Sequence, residues 1–301
     1  MFLPSIKQLQ YLIALHQHNH FGRAADACFV TQSTLSAGLR ELETGLNAVL
    51  VERTKRVVSF TALGEQVARK AYVVLREATE IAQMAQASGR PLSGELRLAV
   101  IPTIAPFFLP KTLPALRSTY PDLKLFLREE MSHAACEELL RGQIDCVLLA
   151  LPYNCGEVEV AELFEDAFSV AFHEQEFAPP PATIAPAEIE GERLLLLEDG
   201  HCLRDQVLIA CERPELRINR AVLGTSLHTM VQMVDNRLGM TLLPQMAIDC
   251  GILNDTHVLA RPLSGPRARR TIALAWRRSS PREAELRLLA EFLRKAAKGE
   301  Q

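Results

Sequence analysis

Leu9, Leu12, Ile13 and Leu15 form an apolar stripe at helical spacing, and the polar run that follows predicts an end near His20. The alanine-rich stretch Phe21-Gly22-Arg23-Ala24-Ala25-Asp26-Ala27-Cys28 forms a second, short helix. Thr31 suits the N-cap of a third, in which Leu35, Leu39 and Leu42 recur at spacings of four and three and bury one face. Gln32, Ser33, Ser36 and Arg40 lie away from that face. Small alanines let the second helix cross the third closely, as a helix-turn-helix requires. Short polar side chains at the start of the third helix can reach base edges in a major groove. An ordinary three-helix bundle with a solvated polar face fits the same spacing.

The next segment shifts that balance. Glu52 to Thr61 reads as a basic turn with a short alternating strand, a wing placed to meet phosphates. Residues 1–61 carry six lysines and arginines against four acids, a positive unit within a chain of net charge −3. From Thr61 to about Ser88 there is no proline, and the pattern predicts one long helix. Val67, Val74 and Ile81 repeat every seven residues, with Ala71, Ala78 and Ala85 four behind each. Such a seam suits close packing of two helices and predicts a dimer.

The run F-G-R-A-A-D-A-C-x-V-T-Q-S-T-L-S, then L-x-x-L-E-x-x-L, E-R-T and F-T-x-x-G resembles the winged helix-turn-helix of LysR-type transcriptional regulators. Ser33 and Asn47 stand where such proteins often carry proline and glycine. The resemblance implies double-stranded DNA as partner. Gln32, Ser33 and Ser36 would read bases, and Arg53 in the wing would contact phosphate.

Gly89-Arg90-Pro91-Leu92-Ser93-Gly94 is a cluster of chain breakers and predicts a hinge. Beyond it strands and helices alternate: a strand at 95–101, a helix at 107–118, a strand at 123–128, a helix at 134–140 and a strand at 146–151. Further strands at 168–172, 194–197, 240–243 and 270–275, with helices at 227–234 and 281–298, continue the scheme. Alternation predicts a parallel sheet with crossover helices. The fold class is therefore α/β: residues 1–61 a winged helix-turn-helix, 62–88 a dimerisation helix, and 89–301 an effector domain. That last part resembles the two-lobed, periplasmic-binding-protein-like effector domain of the same regulators. Thr103 and Ser132 each follow a strand and open a helix, where a hydroxyl could hold a small polar ligand or serve as a plain N-cap.

Composition narrows the classes. A net charge of −3 argues against a uniformly basic nucleic-acid coat, though not against a local one. No apolar run approaches the ~20 residues that span a bilayer, and the N-terminus reads as an amphipathic helix. A cytoplasmic protein without a membrane partner is expected. Seven cysteines, an odd number in a long chain, predict no structural disulfide framework, only a transient redox one.

Two of the seven sit in Gly200 to Pro214, at Cys202 and Cys211. In a helix, nine residues amount to about 13.5 Å of rise, whereas a disulfide needs Cα atoms about 4.4–6.8 Å apart. The apolar run Val207 to Ala210 between them fits either a helix or a strand; if it is a helix, bridging requires it to unwind, which makes oxidation a conformational switch. His201 and Arg204 flank Cys202, and cationic neighbours lower a thiol pKa. Burial as two small apolar residues is the commoner fate of free cysteines. The spacing of His201, Cys202 and Cys211 matches no common zinc pattern, so no metal is expected.

L-L-L-E-D-G-H-C-L-R-D-Q with a second cysteine nine residues on is similar to the redox switch of the peroxide-sensing LysR-type activators. I-P-T-x-x-P-x-x-L-P from Ile101, D-C-V-L-L-A from Asp145, T-S-L from Thr225 and R-R-T-I-A-L from Arg269 extend the likeness along the chain. It implies that hydrogen peroxide oxidises Cys202 and that Cys211 resolves the product as a disulfide. Thr103, Ser132 and His201 would help hold peroxide, and Arg270 would support the thiolate. Ser132 replaces a threonine of such proteins. Implied partners are RNA polymerase, a thiol reductant such as glutaredoxin or thioredoxin, and further copies of the chain, as a dimer and then a tetramer. No cofactor and no enzymatic turnover are expected. A metabolite-responsive LysR-type regulator with incidental thiols is the alternative. A thiol peroxidase fits less well, given the DNA-binding third. Tyr153 to Val160, with Cys155, receives no assignment, and Cys28, Cys136, Cys146 and Cys250 read as structural.

Overall fold

In the computed structural model the described residues are 2–53, 58–86, 91–177, 179–212 and 223–299. The chain divides into two compact units, Met1–Ser88 and Gly89–Gln301.

The first unit comprises α1 (Ile6–His18), α2 (Phe21–Ala27), α3 (Gln32–Leu46), β1 (Val51–Arg53), β2 (Val58–Phe60) and α4 (Ala62–Gln86). Leu12, Leu15, Leu35, Leu39, Leu42 and Leu50 close its core. Each of the first three helices is started by a side chain that takes up free N–H groups. Ser5 and Gln8 form a capping box, His20 accepts from Gly22 and Arg23, and Thr31 accepts from Thr34. The later motif residues are structural too. Glu43 accepts the Leu50 and Val51 N–H groups at 2.9 and 3.1 Å, anchoring β1. Thr61 accepts the Gly64 N–H at 2.9 Å, and a Cβ at Gly64 would sit 2.0 Å from the Leu50 carbonyl oxygen. Only glycine lets α4 pass there. Asn47 caps α3 in the left-handed region at φ 49°, which asparagine tolerates where glycine would be usual.

β1 and β2 pair antiparallel, with Val51 opposite Phe60. The basic turn expected at residues 54–57 lies outside the described residues. So do residues 87–88 of the expected long helix. α4 buries Ala68, Ala71 and Tyr72 in the unit's own core, with Val67 packed against it. The heptad seam is therefore divided: Val67 and Ala71 are engaged within the unit, while Val74 and Ile81 are 44% and 69% exposed.

The second unit begins with β3 (Gly94–Val100), α5 (Ala105–Thr119), β4 (Leu123–Glu129), α6 (Ser132–Arg141), β5 (Cys146–Leu151) and β6 (Val158–His173). It continues through β7 (Leu196–Leu197), α7 (Cys202–Ala210), β8 (Leu223–Gly224), α8 (Leu227–Asp235), β9 (Thr241–Pro244) and α9 (Gln245–Asp249). β10 (Val258–Pro262), β11 (Arg269–Arg277) and α10 (Glu283–Ala297) complete it. Two short 3₁₀ turns precede β7.

The main sheet runs β10-β6-β11-β5-β3-β4, with β9 also on β6. β3 is parallel to β4 and β5, but β11 is antiparallel to β5 and β6, and β9 and β10 are antiparallel to β6. The sheet is mixed, which corrects the expectation of a parallel one. The cause is β6, a 16-residue strand that pairs with β11 along its first part and with β9 and β10 along its last. Two apolar cores result, one around β3, β5, α6 and Trp276, the other around Phe168, Phe172, α8 and β9. These are the two lobes. A second correction concerns the thiols: Cys136 on α6 and Cys155 after β5 form a disulfide with Cα atoms 5.3 Å apart, and the other five cysteines form none.

Candidate functional site

The chain leaves β3 at Val100 and β4 at Glu129 and turns at once into α5 and α6, so helix starts gather at the strand ends. α7 and α8 begin nearby. Pro102, Glu130, Met131, Glu198, His201 and Thr225 line a cavity of about 340 Å³ there. Helix N-termini and a concave, partly polar wall make such a place suited to a small polar molecule.

Cys202 is the first residue of α7 and is buried. It belongs to the first lobe's core, whereas Leu203, Val207 and Cys211 belong to the second's. Cys211 caps the far end of the same helix, so these two cysteines, neither in a disulfide, stand at opposite ends of α7 in different cores. Gln206 pins α7 to the first lobe by donating to the Ala150 carbonyl at 2.9 Å.

Burial pushes the Cys202 thiol up from its ordinary pKa; Ser132, Arg270 and the Ala150 backbone pull it down, and Asp205 pushes up again. Burial prevails. The expectation that flanking cations lower this pKa is thus corrected on two counts. Arg204 is paired with Asp199, and burial holds His201 below the usual histidine value, hence neutral. The cation acting on the thiol is Arg270.

Arg270 is fully buried on β11. Its Nε donates to Asp166 at 3.0 Å, Nη1 to the Thr103 hydroxyl at 2.9 Å and Nη2 to the Thr103 carbonyl at 3.0 Å. Asp166 also accepts the Met246 N–H at 3.0 Å. The guanidinium is thereby paired and oriented, as a buried charge must be. Thr103 is no helix cap: Ile104 occupies that position, and Thr103 holds Arg270. Nor is Ser132, which follows the cap residue Met131. The Ser132 hydroxyl is buried and influences Cys202, yet its contact falls short of a full hydrogen bond. His201 Nε2 is likewise buried without a partner.

The fold thus brings Thr103, Arg270, Ser132, Cys202 and His201 to one end of the strands and leaves Cys211 at the far end of α7. Asp166 and Gln206 complete the support. Neither carries a sequence signal, because their partners lie 104 and 56 residues away. In the first unit Gln32 and Ser33 are exposed at the start of α3 and Ser36 is half-buried. Arg53 ends β1, and its side chain lies outside the described residues. Elsewhere His173, Asp235 and His257 bring possible ligand atoms within 4.8 Å of one another. His173 Nδ1 already accepts the Gln175 N–H, and Asp235 faces His257, so this is a hydrogen-bonded cluster.

Residues 89–298 match the family described as "LysR substrate binding domain", and residues 6–65 match "Bacterial regulatory helix-turn-helix protein, lysR family". The chain belongs to the LysR family. Within that family it is 39% identical over 290 residues to the DNA-binding transcriptional dual regulator OxyR of Escherichia coli, covering 96% of this chain and 95% of that one. It is also 39% identical over 295 residues to the HTH-type transcriptional regulator EstR of Acinetobacter baylyi, covering 97% of each. Among solved structures, a full-length OxyR cysteine variant from Pseudomonas aeruginosa superposes with a TM-score of 0.79 at 34% identity, covering 98% of this chain and 96% of that one. Among the described residues, no helix is long and apolar enough to cross a membrane.

Proposed function

We propose that this LysR-family chain is a peroxide-sensing transcriptional regulator, and that Cys202 is its sensor. One observation carries the reading: a buried thiol outside any disulfide, acted on by the buried Ser132 hydroxyl, which lacks a full hydrogen bond, with a second buried atom without a partner, His201 Nε2, on the preceding residue. Buried polar atoms are ordinarily satisfied, so these two call for a small molecule that both donates and accepts hydrogen bonds. Hydrogen peroxide does so. Thr103, through Arg270, sets the charge that faces the reacting sulfur.

The chemistry balances. The Cys202 thiolate attacks one peroxide oxygen, the O–O bond breaks, and the leaving hydroxide takes a proton to become water. Cys202 is then a sulfenic acid. The Cys211 thiolate attacks its sulfur, a second hydroxide leaves, and a disulfide forms. Because α7 separates the two thiols, that second step requires the helix to open. A dithiol protein such as glutaredoxin or thioredoxin resets the pair. The chain binds double-stranded DNA as an oligomer, a tetramer in our reading. Gln32, Ser33 and Ser36 face base edges, and Arg53 faces phosphate. Oxidation changes how the oligomer lies on DNA and its engagement of RNA polymerase in the cytoplasm. One oxidation per chain followed by slow reduction makes it a sensor and not a peroxidase.

A metabolite-responsive regulator is the second reading, supported by the cavity at the strand ends. The cysteines separate the two. Cys202→Ser abolishes stoichiometric peroxide consumption and peroxide-dependent transcription while DNA binding persists. Cys211→Ser traps the sulfenic acid, read as a dimedone adduct on Cys202. A Cys202→Ser chain that still responds to peroxide overturns the proposal.

A further inference from the structure

The Cys136–Cys155 disulfide joins the two elements that hold Cys202. Cys136 lies one turn beyond Ser132 on α6, and residues four apart on a helix share a face. Whatever fixes Cys136 therefore fixes the Ser132 hydroxyl that acts on Cys202. Cys155 belongs to the segment leaving β5, whose Ala150 and Pro152 carbonyls accept the Gln206 amide at 2.9 and 3.4 Å. Tyr153, two residues before Cys155, feels the same thiol: burial first, then Cys202 and Asp205, push its phenol up. Cys136, Cys155 and Cys202 also share one apolar core. The linkage thus braces the Cys202 pocket from both sides.

Its redox state differs from that of its neighbours. Cys202 and Cys211 form no disulfide while Cys136 and Cys155 are joined, so one molecule holds two cysteine pairs in different states. Cys155 is itself buried, but it stands between exposed Asn154 and Gly156, so a reductant reaches it through a local opening of the loop. We propose that Cys136–Cys155 is a second redox centre whose disulfide sets the readiness of the Cys202 pocket, and whose reduction relaxes it. The existence of this centre is independent of peroxide sensing; its consequence for signalling rests on the reading of Cys202 above.

The exchange is a two-electron step. A thiolate of a dithiol reductant attacks one sulfur of the linkage, the S–S bond breaks, and the leaving sulfur takes the electron pair and a proton. The reductant's second thiol displaces the other protein sulfur. Two protein thiols and the reductant's disulfide result, and a dithiol–disulfide buffer runs the reaction in either direction.

The test uses the full-length chain under anaerobic buffers of reduced and oxidised dithiothreitol at graded ratios. Differential alkylation and peptide mass spectrometry score each cysteine. Cys136 and Cys155 interconvert together, at a ratio unaffected by Cys202→Ser. A pair that never forms, or bonds from Cys136 or Cys155 to Cys202, overturns the proposal.

A second measurement compares the linked chain with the same chain after reduction, and with the Cys136→Ser/Cys155→Ser double variant. Labelling of the Cys202 peptide by monobromobimane, which needs no peroxide chemistry, quickens on the order of fivefold when the linkage is absent. Peroxide oxidation of Cys202 slows by a similar factor, because Ser132 is no longer held. Identical labelling in all three samples overturns the coupling. Altered labelling in a chain inert to peroxide upholds the second centre and removes the sensor reading instead. The reduced wild-type chain carries no substitution, so a folding defect in the double variant does not blur the result.

Discussion

Cys202 is pulled in two directions: burial favours the thiol, while Ser132, Arg270 and the Ala150 backbone favour the thiolate. Because burial prevails, the thiolate is the minority form at neutral pH. Its reaction with peroxide or an alkylating agent then gains about tenfold per pH unit from pH 6 upward and shows no plateau near the ordinary thiol value of about 8.5. Stopped-flow rates against pH check this, and a plateau below pH 7 contradicts it. Arg270→Met carries two costs. It removes the cation that acts on the sulfur, which slows the reaction further, and it leaves Asp166 buried with its ion partner gone. Losing one partner of a buried pair costs about 3–5 kcal/mol, readable by urea unfolding. Ser132→Ala slows the thiol as well but leaves stability nearly unchanged, since its hydroxyl makes no full hydrogen bond to lose. A variant pair with the opposite ranking in stability would contradict the geometry of this pocket. Thr103, Ser132, Cys202 and Arg270, which this pocket brings together, were named from motif resemblance; Asp166, the counter-ion of Arg270, was not, because 104 residues separate the two.

At the scale of elements, α7 is the part that must move. Its nine residues separate thiols that lie in different cores, and Gln206, Leu203 and Val207 hold it to both lobes. Disulfide formation needs Cα atoms about 4.4–6.8 Å apart, against about 13.5 Å of helix rise. Oxidation therefore opens the helix, and amide exchange across Leu203 to Ala210 quickens in the disulfide form. Unchanged protection there after peroxide treatment counts against the switch. Spacing left this segment open between helix and strand, whereas the four helices of the first unit and the β3-α5-β4-α6-β5 alternation were readable. β6 was read only from Phe168 to Phe172 because its first half, Val-Glu-Val-Ala-Glu-Leu-Phe-Glu-Asp, is half polar and marks no buried strand. The antiparallel pairing of β11 with β5 and β6 depends on where a strand ends up, which local periodicity does not encode. The Cys136–Cys155 bond joins a helix to a loop across 19 residues, and no spacing rule marks such a pair.

The whole molecule works only if a thiol event reaches DNA, and we propose that copies of the chain meet through the exposed part of α4. The helix is about 37 Å long at 1.5 Å per residue. Its first half is spent on the core of its own unit through Ala68, Ala71 and Tyr72. Beyond that, Val73, Val74 and Ile81 are 41%, 44% and 69% exposed. Burying a valine or isoleucine side chain contributes about 1.5–3 kcal/mol, and a two-fold interface counts each contribution twice. Val74→Glu with Ile81→Glu places a like charge from each copy in that seam. The expected result is a lower mass by sedimentation velocity, with chain stability changed by no more than about 0.5 kcal/mol because both sites are already open. A single DNA-binding unit then engages one half-site instead of two. Affinity falls and the salt dependence of binding drops to about half, since the number of phosphates contacted is halved. If mass and salt slope both stay at their wild-type values, the seam is not where the copies meet, and a disulfide at α7 would have to reach the DNA by another face.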